Sequence, residues 1–415
     1  MKNLKLTDIA PYSGKRVQPF NGVKRYMSTG DLKGDNLNFE DVTYESKPSR
    51  ADILVSEGDI LFAKMTNTNK ALLIDRELDG IIVSTGFSVH RPLENELFGE
   101  YFLHFLKHNS FQRQKNKLCT GAIQSAISNS GIEKIFVPVP DYNDQLYIAN
   151  LLSKAENLIA KRKESIRLLD EFLKSTFLEM FGDPATNKKK YAKGKIKDVV
   201  TEVKYGTSSP AEDEGLYPYL RMNNITPEGY MDYSKLKYIN IVDDKEKEKY
   251  IVRKGDLLFN RTNSKELVGK TGVFNEDSEM IIAGYLIRVR TNEKANPWYL
   301  WGYLNSSHGK KTLLGMCKSI VGMANINAQE LQEIKILIPP IKLQTQFAQI
   351  VEKTEALKTQ YQQSLQELEN LYGSLSQKAF RGELSIKDDE MLMAAEPEAK
   401  YVNKKDLRCQ ISYLL

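Results

Sequence analysis

The 415-residue sequence predicts a mixed α/β protein in which two globular domains form a pseudo-two-fold repeat, joined by two long antiparallel coiled-coil helices. Three observations predict this architecture. The chain repeats itself, each copy contains short apolar segments that suit buried strands, and each copy ends in a long helical pattern. A chain of this length is expected to hold two or three domains, and 41% hydrophobic residues are enough to build their cores.

The internal repeat relates residues 55–183 to residues 252–382. The segment Val-Ser-Glu-Gly-Asp-Ile-Leu-Phe at 55–62 returns as Val-Arg-Lys-Gly-Asp-Leu-Leu-Phe at 252–259. Two copies of one unit make a pseudo-symmetric molecule. Such a molecule suits a partner that presents two sites, and double-stranded DNA is one such partner.

Each copy predicts the same series of elements. A short strand opens each half, at 4–9 and at 194–199. A Gly-Asp turn then precedes a buried strand, and we expect the Gly to form the turn and the Asp to cap its backbone N–H groups. An apolar stretch, an amphipathic helix and an alternating strand that ends in Pro follow, at 81–83, 100–106 and 132–140 in the first copy and at 280–283, 298–304 and 331–339 in the second.

A long helix follows each domain. Its seam residues recur in alternating steps of four and three over about five heptads, which is the spacing of a coiled coil. A two-fold relation between the copies requires these helices to run antiparallel, with one domain at each end. A helix of about 35 residues is about 50 Å long, enough to hold two DNA-reading domains roughly one turn of the duplex apart. The seam residues of the two helices are Ile148, Leu152, Ile159, Ile166, Leu169, Leu173, Phe347, Val351, Tyr361, Leu365, Leu368 and Leu375.

These patterns predict the domain boundaries. The C-terminal segment contains the acidic stretch Asp-Asp-Glu at 388–390, and we expect it to be a weakly structured tail. The predicted segments are a first globular domain at 1–140, a first spacer helix at 141–183, a second globular domain at 184–339, a second spacer helix at 340–384 and a tail at 385–415.

Composition narrows the setting of the protein. The net charge is +5 and the pI about 8.7, which is below the value of about 9 that marks a nucleic-acid binder. Three distant cysteines, Cys119, Cys317 and Cys409, form no disulfide framework, as is typical of a reducing compartment. The sequence has no signal-peptide core and no apolar run of about 18 residues. We therefore expect a soluble, cytoplasmic protein.

The sequence offers no recognisable catalytic centre. Gly269-Lys270-Thr271 resembles the end of a phosphate-binding loop, but position 264 is Ser where the motif requires Gly, so we expect a solvent-exposed turn there. His104 and His108 have the spacing of a zinc-ligand pair, yet no third ligand accompanies them, so we expect partly exposed histidines and no metal. The clustered carboxylates of a nuclease and the motif of an amino-methyltransferase are also missing. The sequence predicts a protein that is not itself an enzyme.

Three motifs, repeated in the same order, resemble those of the specificity subunits of type I restriction–modification systems. They are the Gly-Asp-aliphatic-Leu-Phe strand, a Gly-containing loop, and a Pro-containing start of the long helix that leads to Gln145 or Gln344. The second copy departs from the pattern, because Ala324 and Asn325 stand where the first copy has Gln124. The resemblance covers residues 1–385. The motif segments are 58–62 and 255–261, 121–128 and 322–327, and 137–145 and 336–344.

The resemblance implies a non-catalytic subunit that reads DNA. In that family each globular unit is a target recognition domain for one half of a split, asymmetric site, and the paired helices span the unspecified gap. The helices also dock two modification subunits, which bind S-adenosylmethionine and methylate adenine, while restriction subunits add ATP- and Mg-dependent translocation and cleavage. This chain is thus expected to bind double-stranded DNA and both kinds of subunit, to hold no cofactor of its own and to contact no membrane.

Candidate DNA contacts lie in the loops beside the Gly-Asp strand and in the Gly loop. Phosphates require cationic or small polar donors, and base edges require forked donors and acceptors. We align residues 24–29 of the first copy with residues 219–224 of the second. The candidates are Lys24, Arg25, Ser28, Lys64, Asn67, Asn69, Gln124, Ser125, Arg221, Asn223, Asn224, Arg261, Asn263, Lys265 and Asn325.

Other functions remain open from the sequence. One is the specificity subunit of a related system that cuts on both sides of its site. A second is a coiled-coil scaffold for protein partners, whose binding would not depend on DNA sequence. A third is a nuclease or methyltransferase with an unrecognised site, which would be active as a purified chain.

Overall fold

The chain folds into two compact units. Unit 1 comprises Met1–Glu164 together with the chain from Gln363 onward, and unit 2 comprises Ser165–Gln362. Each unit contains one globular domain and a part of both long helices. Apart from Ser385 and Ile386, the predicted tail lies outside the described residues. The computed structural model describes residues 1–34, 36–121, 125–264, 266–317 and 324–386.

Unit 1 contains short strands, short helices and the first long helix. The helices are α1 (Leu6–Ile9), α2 (Gly99–Lys107), α3 (Asn109–Leu118), α4 (Asn129–Ile132) and α5 (Tyr142–Phe181), the last of which continues into unit 2. The strands are β1 (Lys2–Lys5), β2 (Lys15–Arg16), β3 (Lys24–Met27), β4 (Leu32–Lys33), β5 (Asn36–Leu37), β6 (Glu40–Val42), β7 (Ala51–Leu54), β8 (Ile60–Ala63), β9 (Ala71–Leu73), β10 (Ile82–Ser84), β11 (Phe87–His90), β12 (Cys119–Thr120), β13 (Ala126–Ile127) and β14 (Phe136–Val139).

Unit 2 also consists of short strands and short helices, and it contains the start of the second long helix. Its helices are α6 (Asp244–Tyr250), α7 (Pro297–Asn305), α8 (Ser307–Met316), α9 (Ala328–Gln332) and α10 (Ile341–Arg381), which continues into unit 1. Single 3₁₀ turns lie at Ile196–Val199 and Met222–Asn224. The strands are β15 (Ala192–Lys195), β16 (Val200–Tyr205), β17 (Tyr217–Leu220), β18 (Lys237–Ile239), β19 (Ile251–Val252), β20 (Leu257–Asn260), β21 (Thr262–Asn263), β22 (Thr271–Val273), β23 (Met280–Ile282), β24 (Leu286–Thr291), β25 (Ala324–Asn325) and β26 (Lys335–Ile338).

The two units share one sheet arrangement. The order β7-β10-β3-β6 in unit 1 matches β19-β23-β17-β18 in unit 2, and in both the central pair is parallel. The order β11-β8-β9 likewise matches β24-β20-β22, and these strands pair antiparallel. The first strand of each unit also pairs with the strand before the long helix. The predicted mixed α/β repeat is confirmed.

The predicted opening strands are partly wrong. Residues 4–9 and 194–199 were expected to be extended, but each strand ends early and a helical turn follows, at Leu6–Ile9 and at Ile196–Val199. The reason is the spacing of the buried side chains. Leu6 and Ile9 are both buried, and residues three apart share a face on a helix but point to opposite faces on a strand.

A Gly-Asp turn precedes the central strand of each unit, as predicted. Gly58 has φ +86° and Gly255 has φ +90°, a left-handed conformation that favours glycine. The carboxylate of Asp59 accepts the N–H of Ser56 at 2.8 Å, and Asp256 caps its own turn in the same way. An arginine from the neighbouring strand end donates to each carboxylate. Each of the two aspartates therefore links its turn to the end of the neighbouring strand.

A buried glutamine fastens each long helix to its domain. Gln145 accepts the N–H of Phe98 at 2.8 Å and donates to the carbonyls of Glu96 and Pro140. Gln344 repeats this pattern with Asn296 N–H and with the carbonyls that correspond in unit 2. Because both amide atoms of each glutamine are used, the helix start is held in a fixed position against the helix α2 or α7. This explains why the motif ends in Gln in both copies.

Each domain core is completed by the end of the helix that begins in the other copy. In unit 1 the ring of Phe380 lies 5.5 Å from that of Tyr101, 5.6 Å from that of Phe105 and 4.8 Å from that of His108, measured between centroids. In unit 2, Phe177 and Phe181 pack against Tyr299 in the same way. The far ends of the helices are therefore parts of the globular cores.

Within each unit the two helix segments run antiparallel. In unit 1, Asp144 accepts the N–H of Ile386, while Glu156 further along accepts the hydroxyl of Tyr372 at 2.8 Å. As the residue numbers along one segment increase, the numbers of the residues that they contact on the other segment decrease. Unit 2 shows the same direction in its own pair, where Asp170 contacts Lys358 and Phe177, further along, contacts Phe347. The predicted antiparallel arrangement is confirmed.

The seam residues differ in burial along the helices. Those near the helix ends lie in the domain cores, whereas those near the helix centres are partly exposed. The buried residues are Ile148, Leu152, Leu169, Leu173, Phe347, Val351 and Leu375, and the partly exposed ones are Ile159, Ile166, Tyr361, Leu365 and Leu368.

A polar cluster interrupts the seam in unit 2. The Lys358 ammonium lies 2.6 Å from a carboxylate oxygen of Asp170 and 3.5 Å from the centre of the Tyr230 ring. Glu355 stands one turn before this lysine, and its Oε1 is buried without a hydrogen-bond partner. The pKa of Glu355 is raised to about 7, chiefly by burial, with Lys358 opposing the shift and Asp170 adding to it. The corresponding acid of unit 1, Glu156, has its tyrosine partner.

Replacing the aromatic ring that closes unit 1 is expected to destabilise that unit. Phe380→Ala removes a buried ring, which costs about 3–5 kcal/mol of unfolding free energy in a close-packed core. Hydrogen–deuterium exchange of the full chain should show faster exchange in the helix α2, although Phe380 is distant in sequence. Leu371→Ala, at an exposed site on the same helix, is the control. Unchanged exchange in α2 with Phe380→Ala would contradict the proposed core.

The stability of unit 2 is expected to fall as pH rises through the range of the Glu355 carboxyl. The folded pKa of about 7 lies above the ordinary 4.5, so between these values the folded state binds more protons than the unfolded state. Stability from the protonated form is present at low pH and is lost toward pH 7. Glu355→Gln should therefore raise the unfolding free energy by about 1–3 kcal/mol at pH 8 and change it little at pH 5.

Thermal unfolding at both pH values measures this difference. The matched control is Glu352→Gln, which makes the same change at an exposed position of the same helix. An equal effect of the two variants at pH 8 would show that burial of the Glu355 carboxylate carries no cost.

Candidate nucleic-acid interface

The loop after the parallel strand begins with equivalent residues in the two units. Tyr26 pairs with Ile82 in unit 1 and Tyr219 pairs with Ile281 in unit 2, so Ser28 and Arg221 occupy the same place. The predicted alignment of residues 24–29 with 219–224 is thus shifted by two residues. The loops between the strands differ in length, and the sequence pattern there is too weak to fix the register.

The position after this strand is locked in both units. The N–H of Ser28 donates to Asp31 at 2.9 Å, and the N–H of Arg221 donates to the side-chain oxygen of Asn224 at 2.9 Å. Asn224 also donates to the carbonyl of Asp232, and its side chain is buried. The amide of Asn224 therefore holds the loop, while Asn223 beside it is exposed.

Two predicted cations in unit 1 are engaged with their own domain. Arg25 donates to the carbonyl of Glu77 and stacks at 4.9 Å over the ring of Phe39, and Lys24 reaches the carbonyl of Gly80 at 3.5 Å. Both side chains keep exposed surface. A DNA contact by either one would add to these bonds or replace them.

The second candidate loop of unit 1 follows the central strand. Asn67 has φ 54°, its backbone N–H donates to Oδ1 of Asn116 on the helix α3, and Nδ2 of Asn116 donates back to Oδ1 of Asn67. Asn69 donates to the carbonyl of Lys107 at 2.9 Å, and burial lowers the pKa of Lys64. The N–H of Thr66 donates to the carbonyl of Ser125, so the two candidate loops lie side by side. Gln124 lies outside the described residues.

The corresponding loop of unit 2 gathers Arg261, Asn263 and Asn325. The guanidinium Nε of Arg261 donates to the side-chain oxygen of Asn325 at 3.2 Å, and its plane stacks at 4.8 Å on the ring of Tyr205. Asn263 accepts the N–H of Ser264 and pairs through its strand with Ala324. The strand pair β21–β25 thus joins the two candidate loops. Lys265 lies outside the described residues.

Two lysines position these loops, Lys70 partly buried and Lys270 buried, and sequence reasoning missed both. Lys70 donates to the carbonyl of Thr29, in the loop of Ser28. Lys270 donates to the carbonyl of Met222 at 2.9 Å and to that of Ile225, in the loop of Arg221. Both lysines follow the central strand at the same place in their units. In sequence, Lys270 belongs to the Gly-Lys-Thr segment that was expected to be an exposed turn, and this expectation is wrong because its side chain is buried.

A shallow cleft of about 600 Å³ lies beside the Arg221 loop in unit 2. Arg221 and Arg261 line it together with four tyrosines, and no carboxylate is among the described residues that line it. Tyr205 and Tyr285 are 39% and 54% exposed, which places aromatic surface within reach of solvent. Arginines with aromatic rings and no opposing acid are the surface chemistry that nucleic acids require. The aromatic members are Tyr205, Tyr219, Tyr250 and Tyr285.

His104 and His108 pack against aromatic rings of unit 1. His104 is buried, not partly exposed as expected, because it lies in the core of unit 1 with Nε2 at 2.9 Å from the hydroxyl of Ser153. Burial lowers the pKa of His104. Among the described residues, no group of three His, Cys, Asp or Glu side chains is placed to hold a metal ion. Nor does any helix in the described part of the chain have the length and apolarity to cross a membrane.

Known proteins share this architecture. A family model described as the type I restriction modification DNA specificity domain matches residues 1–168 and 188–370. The type I restriction enzyme EcoKI specificity subunit of Escherichia coli K12 is 25% identical over 317 residues, which are 72% of this chain and 68% of that protein. The type I restriction enzyme StySPI specificity subunit of Salmonella potsdam is 23% identical over 316 residues, which are 71% of this chain and 67% of that protein.

Two solved structures are similar in fold. The S subunit of a type I restriction–modification system from M. genitalium is 14% identical with a TM-score of 0.57, over 91% of this chain and 96% of that one. A chain from work on complex assembly and conformational transition of the type I R-M system is 21% identical with a TM-score of 0.55, over 92% and 98%. Because the family model matches both copies of the repeat and more than half of the chain, this protein belongs to the type I restriction–modification DNA specificity family, as a specificity subunit with two target recognition domains.

Proposed function

We propose that this chain reads a bipartite, asymmetric DNA site, with one half of the site bound by each target recognition domain. The observation that carries the proposal is a common framework with different loops. Both domains anchor the loop after the parallel strand in the same way, yet the residue at its start is Ser28 in one and Arg221 in the other. Equal frameworks with unequal reading residues suit two different half-sites.

The long helices serve as the spacer between the half-sites. Each helix is anchored by a buried glutamine at its start and by aromatic residues in a domain core at its end. A spacer anchored in this way raises the effective concentration of the second half-site once the first is bound. Binding to phosphates should add an affinity that falls with salt concentration.

The chain acts as the non-catalytic member of a larger complex. Two modification subunits dock on the helices and supply the S-adenosylmethionine site for adenine methylation, and restriction subunits supply ATP- and Mg-dependent cleavage. The partly exposed central seam and the outward helix faces are the surface available for docking. Expulsion of the target adenine from the duplex stack belongs to the modification subunit. The complex works in the cytoplasm, where the DNA is.

Methylation mapping tests the address-reading role. The chain is co-expressed with the modification subunit of its own genome, and methylated adenines are mapped across the host DNA. The expected result is one bipartite motif with a fixed gap. Exchange of residues 1–140 for the first domain of another specificity subunit should change one half of the motif and leave the other half and the gap unchanged.

The matched exchange of residues 184–339 should change the opposite half. Methylation at a continuous motif, or a change in both halves after a single exchange, would contradict the division of labour. The purified chain without partners, tested with Mg and methyl donor, is expected to neither cut nor methylate DNA. Activity of the chain alone would overturn the non-catalytic assignment.

A further inference from the structure

Arg221 has a guanidinium group that the domain does not use. It forms no hydrogen bond or salt bridge with any of the described residues, and its Nε is buried without a partner. Other arginines of the same domain are engaged: Arg290 is paired with Asp256 and Arg253 with Glu248. The residue is partly exposed, but its Nε is a buried donor without an acceptor, which is costly, so a binding partner that supplies an acceptor there would gain from this site.

The backbone around Arg221 is nevertheless held firmly. Its N–H is bonded to Asn224, and the ammonium of Lys270 ties the next residue, Met222, and Ile225 to the sheet. The start of the side chain is thus fixed while its charged end is unpaired. Residues that read a ligand need this combination of a fixed support and free donors.

The surroundings of Arg221 indicate the class of ligand. The cleft it lines is cationic and aromatic, with Arg261 and exposed tyrosine rings and no carboxylate among its described lining residues. The sugar-phosphate strands are the protruding parts of a DNA duplex. A concave surface of this kind fits one of these strands. A strand in the cleft brings the neighbouring base edges within reach of a long side chain at its wall.

The chemistry of arginine distinguishes between base and phosphate. Its planar fork donates two parallel hydrogen bonds to O6 and N7 of guanine, which is the commonest specific contact in the major groove. Lysine replaces arginine at a phosphate but has no fork to match a guanine edge. At the equivalent place in unit 1 stands Ser28, whose hydroxyl is bonded to Asp31, so that domain has no matching reader.

We propose that Arg221 is a specificity-determining residue that donates two hydrogen bonds to a guanine in the half-site bound by the second domain. This inference rests on the proposed function and specifies one base pair of the site. It predicts that the half of the motif that changes on exchange of residues 184–339 contains a G·C pair. It also predicts that the same pair depends on Arg221 and on no residue of the first domain.

Substitution of Arg221 in the complex with the modification subunit tests the proposal, with host genomic DNA as the probe. Arg221→Ala and Arg221→Lys should both lower the preference for that one G·C pair, by about 5- to 140-fold, as expected for loss of a bidentate contact. Arg221→Gln should shift the preference toward A·T, because Gln matches the edge of adenine. The first half of the motif and the gap should stay unchanged in all three variants.

Arg253→Ala is the matched control, because Arg253 is exposed and paired with Glu248 in the same domain. It should leave every position of the motif unchanged. Thermal unfolding of each purified complex identifies variants that fail to fold. If Arg221→Ala is unfolded, the proposal is tested with Arg221→Lys, which is the smallest change in size and charge.

Three outcomes would overturn the proposal. The first is a second half-site without any G·C pair. The second is an unchanged motif in the Arg221→Lys complex, which would identify a phosphate contact. The third is an equal loss of preference at all positions of the half-site. Failure of the proposed function itself looks different, because the wild-type complex would then yield no bipartite motif.

Discussion

The completion of each domain core by a distant helix is the constraint on which the rest of the structure depends. Phe380 closes the aromatic cluster around Tyr101 in unit 1, and Phe177 and Phe181 do the same beside Tyr299 in unit 2. Buried aromatic rings such as these dominate the energetics of a core. The helices therefore have to pair antiparallel within each unit, and the glutamine at each helix start then fixes the adjoining domain.

The two domains differ at positions where a change of side chain does not disturb their shared framework. The Gly-Asp turn, the lysine that follows the central strand and the bonds that hold the next loop recur in both units. These groups satisfy buried backbone atoms, so changing them would leave donors or acceptors without partners. The side chain at the loop start does not satisfy buried backbone atoms in this way. It can therefore be a short Ser28 or a long Arg221 without disturbing the sheet.

The sequence predicted the parts of the fold that have strong periodicity. The heptad seam, the Gly-Asp strand and the repeat order all agree with the structure, because many residues contribute to each pattern. Residues 6–9 were misjudged because one turn of helix is too short to show a period. The register of residues 24–29 against 219–224 failed because the preceding loops differ in length.

The candidate site was predicted only as a set of loops. The sequence does not identify Lys270 as a loop anchor, because it does not show whether a lysine side chain is buried or exposed. The free state of Arg221 and the engaged state of Arg25 also depend on neighbours that are far away in sequence. Composition and spacing identify residues that can bind DNA, whereas only the surrounding contacts tell which of them have donors to spare.

The division of the chain between the units sets the order of folding during synthesis. Unit 2 is one continuous stretch, Ser165–Gln362, so all of its core is available once the ribosome has passed that point. Unit 1 begins at Met1 but needs Phe380 and Leu384, so the domain that is made first is the last to close. Its apolar surface stays uncovered while more than half of the protein is made. Such long sequence separations slow folding and expose aggregation-prone surface, so the nascent first domain is the segment that most needs a chaperone.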